Sequence, residues 1–489
     1  VSHGSLFRRV FVPSMSTVLL SALVACGAPE EESPTPEPVG QAQQALEPSD
    51  PLFNSQRWHY NLIRAPQAWD LTTGSSAVTV AVLDSGRLQH PDLSAKWVGG
   101  YDFVEGQPDP TDVGTYHHGI HVAGTIAATA NNGTGGVGVC WGCKLMPVRI
   151  AQAGGSISSG SPGANDPLTT VMARGIWYAA GYAVDDGRGN VVQAPARASV
   201  INISLGNIPA PCPADLQSAI NGAVAAGVPV VVAAGNRDSS MQTSNFANYL
   251  WGSCQNVISV AAANEKSDYE SYSAQGPGVT LGAPGGDEYR TNPYAKTGEA
   301  GFGALIGCTD PEEMRGIGTH GIVSSWTTSQ GVHCNRHWAG TSMAAPHVSG
   351  TIGLMRSRNA SLTPAQIKTL LTSTARWVIP CVGPVCPPKT LDAHAAVSAS
   401  RFDAIAVSCT STQSNLFQCS VTKAGGLAPF TGAWTMVAPA GVYSQYVNNP
   451  DQSYGICTPG VMTTATVTVT DALGRAQTRS STFLCSSTP

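Results

Sequence analysis

Four short apolar runs constrain this chain more than any other feature. "AVTVAVLDSG" (77–86), "ASVINISLG" (198–206), "VPVVVAAGN" (228–236) and "NVISVAAAN" (256–264) are rich in valine and isoleucine and end at turn or polar residues, the pattern of buried strands. Between them, "HGIHVAGTIAATA" (118–130) reads as a helix with small residues on its packed face. "PADLQSAINGAVAAG" (213–227) reads as a second helix that stops at Gly227. Buried strands alternating with helices predict a parallel α/β sheet. Three of the strands end in a polar residue, and in open parallel sheets ligands and chemistry collect at the carboxyl ends of strands.

The same texture continues to "LTPAQIKTLL" (362–371), where Thr363 is the expected N-cap, Pro364 the first helical residue and Gln366 the partner in a capping box. "LDAHAAV" (391–397) is its last packed element. After about residue 402 the sequence changes to alternating strands such as "TATVTVTDALGRAQTRSSTFLC", with "ALGR" as a turn. This predicts a small all-β, sandwich-like module at 403–489, stapled by Cys409, Cys419, Cys457 and Cys485.

A chain of 489 residues exceeds what one core usually supports, which fits one large and one small domain. The net charge of −5 gives no basic footprint, so nucleic acid is excluded as an expected partner. Arg8 and Arg9 precede "TVLLSALVAC" (17–26), a basic and then short apolar pattern expected of a secretory signal at 1–26. Leu23-Val24-Ala25-Cys26 resembles the bacterial lipobox, making Cys26 the expected lipid-bearing residue and that anchor the expected contact with membrane. Residues 27–50 are acidic, rich in Pro and Gln, and expected to be a flexible tether. Thirteen cysteines less Cys26 leave twelve, enough for six disulfides in an oxidising compartment. Cys140 and Cys143 in "CWGC" lack a second CxxC at metal-site spacing, so a local disulfide is expected.

Chemistry enters at two further segments. "GTSMAAPHVSG" (340–350) sets Ser342 after a Gly-Thr turn at the start of a small-residue helix; Pro346 suits only a first turn, which puts the helix N-terminus at Ser342. Unpaired amides and the helix dipole there favour developing negative charge. "HHGIHVAG" (117–124) supplies three histidines within five positions, candidates for the base that a serine nucleophile requires.

"AVLDSG", "HGIHVAGT", "VVAAGN" and "GTSMAAPHVSG", in that order over most of the α/β region, resemble the four signature blocks of the subtilisin-like serine proteases. The resemblance implies a three-layer α/β/α fold at 51–402 with a mostly parallel sheet. It implies a serine endopeptidase with protein or peptide substrates, acting as a monomer. Asp84 becomes the orienting acid, His118 the general base, Ser342 the nucleophile and Asn236 the oxyanion donor. His121 becomes a packed structural residue and His117 an exposed neighbour. Ser204, Leu205 and Gly206 are implied to pair with the substrate backbone, Ala233, Ala234 and Gly235 to wall the opposite side, and Arg237 to favour acidic side chains.

No cofactor is expected for the chemistry. Family members often carry structural calcium, for which Asp102, Asp109 and Asp112, with Asn131 and Asn132, are oxygen-rich candidates. His347 is expected to be structural, Asp92 to be a surface or capping residue, and His320, His333 and His337 to lack the spacing of a zinc site. Proximity and family likeness pair Cys212 with Cys254, Cys308 with Cys334 and Cys381 with Cys386. Two departures stand out. Ile120 replaces the family's threonine beside the base, with reduced activity as the expected cost, and the 24-residue tether is too short to be the family's folding segment. Two rivals remain: a catalytically silent surface-binding or adhesion protein, and an esterase or lipase, whose G-x-S-x-G elbow is absent around Ser342.

Overall fold

The computed structural model describes residues 45–114, 117–151, 167–237, 243–266, 268–287, 302–306, 321–328, 330–377, 389–411, 415–438 and 444–487. The signal, Cys26, most of the tether, His320, Cys308, Cys381 and Cys386 lie outside them.

The α/β region opens with helices α1 (Phe53–Leu62) and α2 (Ala65–Trp69). Its centre is a seven-stranded sheet of β1 (Thr79–Asp84), β2 (Tyr101–Asp102), β3 (Lys144–Arg149), β6 (Val200–Ile203), β7 (Val230–Ala233), β8 (Val257–Ala263) and β9 (Leu281–Pro284), ordered 2-3-1-6-7-8-9. Every neighbouring pair is parallel. Two-residue strands β4 (Val184–Asp185) and β5 (Val191–Val192) form a separate small hairpin.

Strand alternation sorts side chains into two cores. Val80, Val82, Val200, Val231 and Val260 join one cluster, with residues of α3 (His118–Ala127) and α7 (Thr341–Arg358). Ala81, Leu83, Ile201, Ile203, Val230 and Val232 join the other, with residues of α4 (Leu168–Ala179) and α5 (Ala214–Ala225). This is the three-layer arrangement that parallel strands buried on both faces require. The strand ending expected at Asn236 stops at Ala233, and Asn236 instead makes an isolated bridge to Ser273. The short helix α6 (Leu250–Ser253) brings Cys254 to Cys212. In α8 (Pro364–Thr374) the capping box of Thr363 and Gln366 is complete, and α9 (Ala393–Ala399) starts at an Asp392 cap.

A three-stranded antiparallel sheet leads into α7. It consists of β10 (Phe302–Ile306), β12 (His333–Trp338) and β11 (Ile322–Thr327), in that order. The C-terminal module packs two sheets: β13 (Phe402–Ser411), β14 (Leu416–Gly425), β17 (Gln452–Ile456) and β16 (Ser444–Asn448) against β15 (Thr431–Val437), β18 (Met462–Thr470) and β19 (Ala476–Leu484). Phe402, Ile405, Phe417, Trp434, Val467 and Phe483 fill its core. Cys409–Cys419 and Cys457–Cys485 staple it, and Cys140–Cys143 forms as expected. Cys334 is also disulfide-bonded. Among the described residues no helix is long and apolar enough to cross a membrane.

Candidate active site

Asp84 is the last residue of β1, at the carboxyl edge of the sheet, and is only 1% exposed. Its Oδ1 accepts the Ser85 amide at 2.8 Å, and both its oxygens face His118 Nδ1, at 2.8 and 3.0 Å. With Nδ1–H donated to Asp84, Nε2 of His118 is left as the proton acceptor. His118 is the first residue of α3, a helix whose N-cap, His117, supplies no capping side chain. Ser85 does so from the neighbouring loop: its Oγ accepts the Gly119 amide at 2.9 Å and donates to Asp112 at 2.8 Å. Gly119 is required there, because a Cβ would lie 2.5 Å from the Gly86 carbonyl.

Ser342 is the second residue of α7, after Gly340, whose φ of 159° and ψ of 162° mark extended backbone. Its amide belongs to the first turn, where helix geometry supplies no carbonyl partner. The helix begins at Thr341, so Pro346 lies beyond the first turn instead of inside it. The reason such a proline survives is visible in the hydrogen bonds. Residue 346 would bond the carbonyl of residue 342, and proline has no N–H to do so. The Ser342 carbonyl instead accepts the Ser204 hydroxyl at 2.8 Å, while Ser342 Oγ donates to the Ser204 carbonyl at 2.7 Å. Among the described residues no hydrogen bond joins Ser342 Oγ to His118.

Asn236 is fixed from two sides. Its Oδ1 accepts both the amide and the hydroxyl of Thr341, each at 2.9 Å, and its own amide donates to Asn207 Oδ1 at 2.6 Å. This commits the carbonyl end of the side chain and leaves Nδ2 as the donor to be used. Gly235 has φ of 113° and lies so close to Gly206 that a Cβ on either residue would collide with the other's backbone or with Tyr249. Ala233 and Ala234 are fully buried, and the Leu205 carbonyl accepts the Trp251 indole N–H at 2.7 Å. The Arg237 amide donates to the Tyr272 carbonyl.

The other histidines separate by environment. His121 is fully buried, with Nε2 set between the carbonyls of Ile322 and Arg336, and burial pulls its pKa down to about 3. His347 is buried against Met343 O and His59, and desolvation takes it to about 4. Both are structural, as expected. His117 is a correction: it is buried, 3.4 Å from Asp112 and packed on Trp326, because the β11–β12 hairpin covers it. Asp92 is another: it is fully buried, accepts Asn132 Nδ2 at 3.0 Å, and burial pushes its pKa up to about 6.

The three aspartates named for calcium are not brought together. Asp102 is buried against Arg149 at 2.6 Å, Asp109 meets Thr111 and Arg87 at the surface, and Asp112 serves Ser85 and Gly114. Asn131 and Asn132 donate their amides to Asp50. Among the described residues no group of three or more His, Cys, Asp or Glu converges as a metal site. Sequence reasoning passed over Ser85, Asn207 and Thr341, and read Asp112 as a calcium candidate, although all four orient the named residues; the hydroxyls flanking Asp84 and Ser342 were the available signal.

The Subtilase family model (peptidase S8) matches residues 75–398. An extracellular protease of Xanthomonas campestris pv. campestris is 34% identical over 390 residues, covering 73% of this chain and 57% of its own length. Thermitase of Thermoactinomyces vulgaris is 33% identical over 329 residues, covering 67% of this chain and 91% of its own length. A solved protease structure from Pseudoalteromonas arctica has a TM-score of 0.59 at 32% identity, over 72% of this chain and 99% of that one. The chain spans a little over half the length of the extracellular proteases it matches. With the family's model, its sheet and the order of its four sequence blocks all in place, the chain belongs to the subtilase family.

Proposed function

We propose that the chain is a serine endopeptidase working through Asp84, His118, Ser342 and Asn236. The observation that carries this is the division of labour at the sheet's carboxyl edge: Asp84 holds His118 Nδ1, and Thr341 holds Asn236 Oδ1, so each side chain has one committed end and one working end. In the reaction, Ser342 Oγ turns from the Ser204 carbonyl to His118, gives its proton to Nε2 and attacks the peptide carbonyl carbon. Negative charge on that oxygen is met by the Ser342 amide and Asn236 Nδ2. The C–N bond breaks as His118 returns the proton to the leaving amine. Water, deprotonated by the same nitrogen, then releases the acid and restores Ser342.

Substrate enters as an added strand along Ser204, Leu205 and Gly206, opposite Ala233, Ala234 and Gly235. Arg237, half-buried beside Asn236, biases the first pocket toward acidic side chains. Relatives named as extracellular proteases, together with Arg8, Arg9 and the apolar run to Cys26, support a secreted, lipid-anchored protein. The deciding experiment is labelling with a fluorophosphonate probe, with peptide mapping and Ser342→Ala as control. Label on Ser342 is the expected result. Folded protein that takes no label favours the silent, surface-binding reading.

Structural calcium does not fit Asp102, Asp109 and Asp112, each closed on its own donors. Calcium therefore has no part in this reading, and a melting temperature that falls on adding a chelator would reinstate it.

A further inference from the structure

His118 has a second close neighbour besides Asp84. The indole of Trp338, the last residue of β12 and four before Ser342, meets the His118 ring at 5.2 Å between centroids and 89° between planes. The same indole meets His121 at 5.4 Å and 75°, one helical turn further along α3. Trp326 stands against it at 5.3 Å, and the Arg336 guanidinium lies over both indoles, 4.7 Å from Trp326 and 5.6 Å from Trp338. His121 Nε2, held by the carbonyls of Ile322 and Arg336, ties α3 to the two strands that carry this aromatic pair. Trp338 is buried, so its ring is fixed by packing on several sides.

We infer that Trp338 is a positioning residue that holds the imidazole of His118 edge-on, fixing its ring plane while Asp84 fixes its tautomer. The inference rests on His118 being the base of the proposed reaction. An imidazole hydrogen-bonded only through Nδ1 can still swing about that bond, and Nε2 then sweeps past the point where Ser342 must meet it. A large flat side chain against the ring removes that freedom. Because Trp338 sits on the segment leading into Ser342, it also couples the placement of base and nucleophile. Productive geometry must be held to within about 0.5 Å, so such a neighbour affects turnover more than substrate affinity.

The test is steady-state kinetics with fluorophosphonate labelling on wild type, Trp338→Ala, Trp338→Phe and Trp326→Phe. Trp338→Ala should lose about tenfold or more in kcat with KM nearly unchanged, and Trp338→Phe should recover most of it. Trp326→Phe keeps Trp338 and only loosens its support, so it should lower kcat by a smaller factor with KM again unchanged, and it decides the question where a Trp338 variant fails to fold. A Trp338→Ala that raises KM alone, a Trp338→Phe as slow as Trp338→Ala, or a Trp326→Phe that changes KM and not kcat overturns the inference. Wild type that takes no label instead removes the peptidase reading and leaves the contact standing.

Discussion

Ile120 tests how the residue after the His-Gly pair contributes to the site. The family's hydroxyl residue at this position suggests a local hydrogen bond near the base, which Ile120 would forfeit. The structure gives a different account: Ile120 is 1% exposed and lies in the apolar cluster with Val80, Val82, Val122, Ile126 and Trp338. Ile120→Thr removes about two methylene equivalents from that cluster, roughly 1.6 kcal/mol at about 0.8 kcal/mol each. Burying the new hydroxyl adds about 1–3 kcal/mol unless it bonds back to its own helix. The sum, about 2.6–4.6 kcal/mol, is a large part of a typical folding free energy of about 5–15 kcal/mol. Calorimetry should show the transition of the α/β region several degrees lower, while the fluorophosphonate labelling rate of the folded protein stays unchanged. A faster labelling rate with an unmoved transition would refute the reasoning, because it would mean that a hydroxyl at this position serves His118 and that packing of Ile120 is dispensable.

Gly119→Ala should leave a folded protein whose kcat falls by about 10²-fold, because its Cβ would press on the Gly86 carbonyl and shift His118 from Asp84. Acid should destabilise the fold through histidines buried in the neutral form: His121 and His347 have pKa values lowered by burial to about 3 and about 4. The unfolded chain binds protons below about pH 6.5 while the folded one does not, so stability is full above that pH and falls by up to about 1.4 kcal/mol per histidine per unit below it. Melting temperatures from pH 8 to pH 5 check this, and His347→Gln should flatten the slope. Replacing Cys457 and Cys485 by serine releases a loop of 28 residues' separation, about 3–4 kcal/mol of stability in the β module, with labelling of Ser342 unaffected. Pro346→Ala and Ser204→Ala should each slow labelling but less than additively together, since both act on the Ser342 carbonyl; full additivity would show that they are independent.

The sheet was legible in the sequence because its strands are buried on both faces. A parallel strand under helices must be apolar at nearly every position, so Val80 to Leu83 and Val230 to Ala233 announce themselves without reference to the rest of the chain. The capping box at Thr363 is equally local, because both partners lie within one helical turn. Pro346 was misplaced for the complementary reason. The rule that excludes proline from a helix interior concerns the carbonyl four residues back, and here that carbonyl finds the hydroxyl of Ser204, 138 residues away in sequence. No window around Ser342 contains that information.

The same distinction runs through the candidate site. Asp84, His118 and Ser342 each stand at the end of a strand or the start of a helix, and Asn236 follows three residues after β7, where the apolar pattern breaks, so each marks itself locally. The groups that aim them do not. Thr341 reaches Asn236 across 105 residues, and Trp338 meets His118 only because the β11–β12 hairpin folds over α3. His117 was read as exposed because it precedes the family's motif, and Asp92 as a surface or capping residue because it follows a turn, whereas the hairpin buries the first and the loop of Asn132 buries the second. Reacting groups occupy breaks in a one-dimensional pattern, while orienting groups are fixed by which elements pack together. Substitutions at the orienting positions should therefore alter pH dependence and turnover while leaving the sequence blocks that identify the family intact.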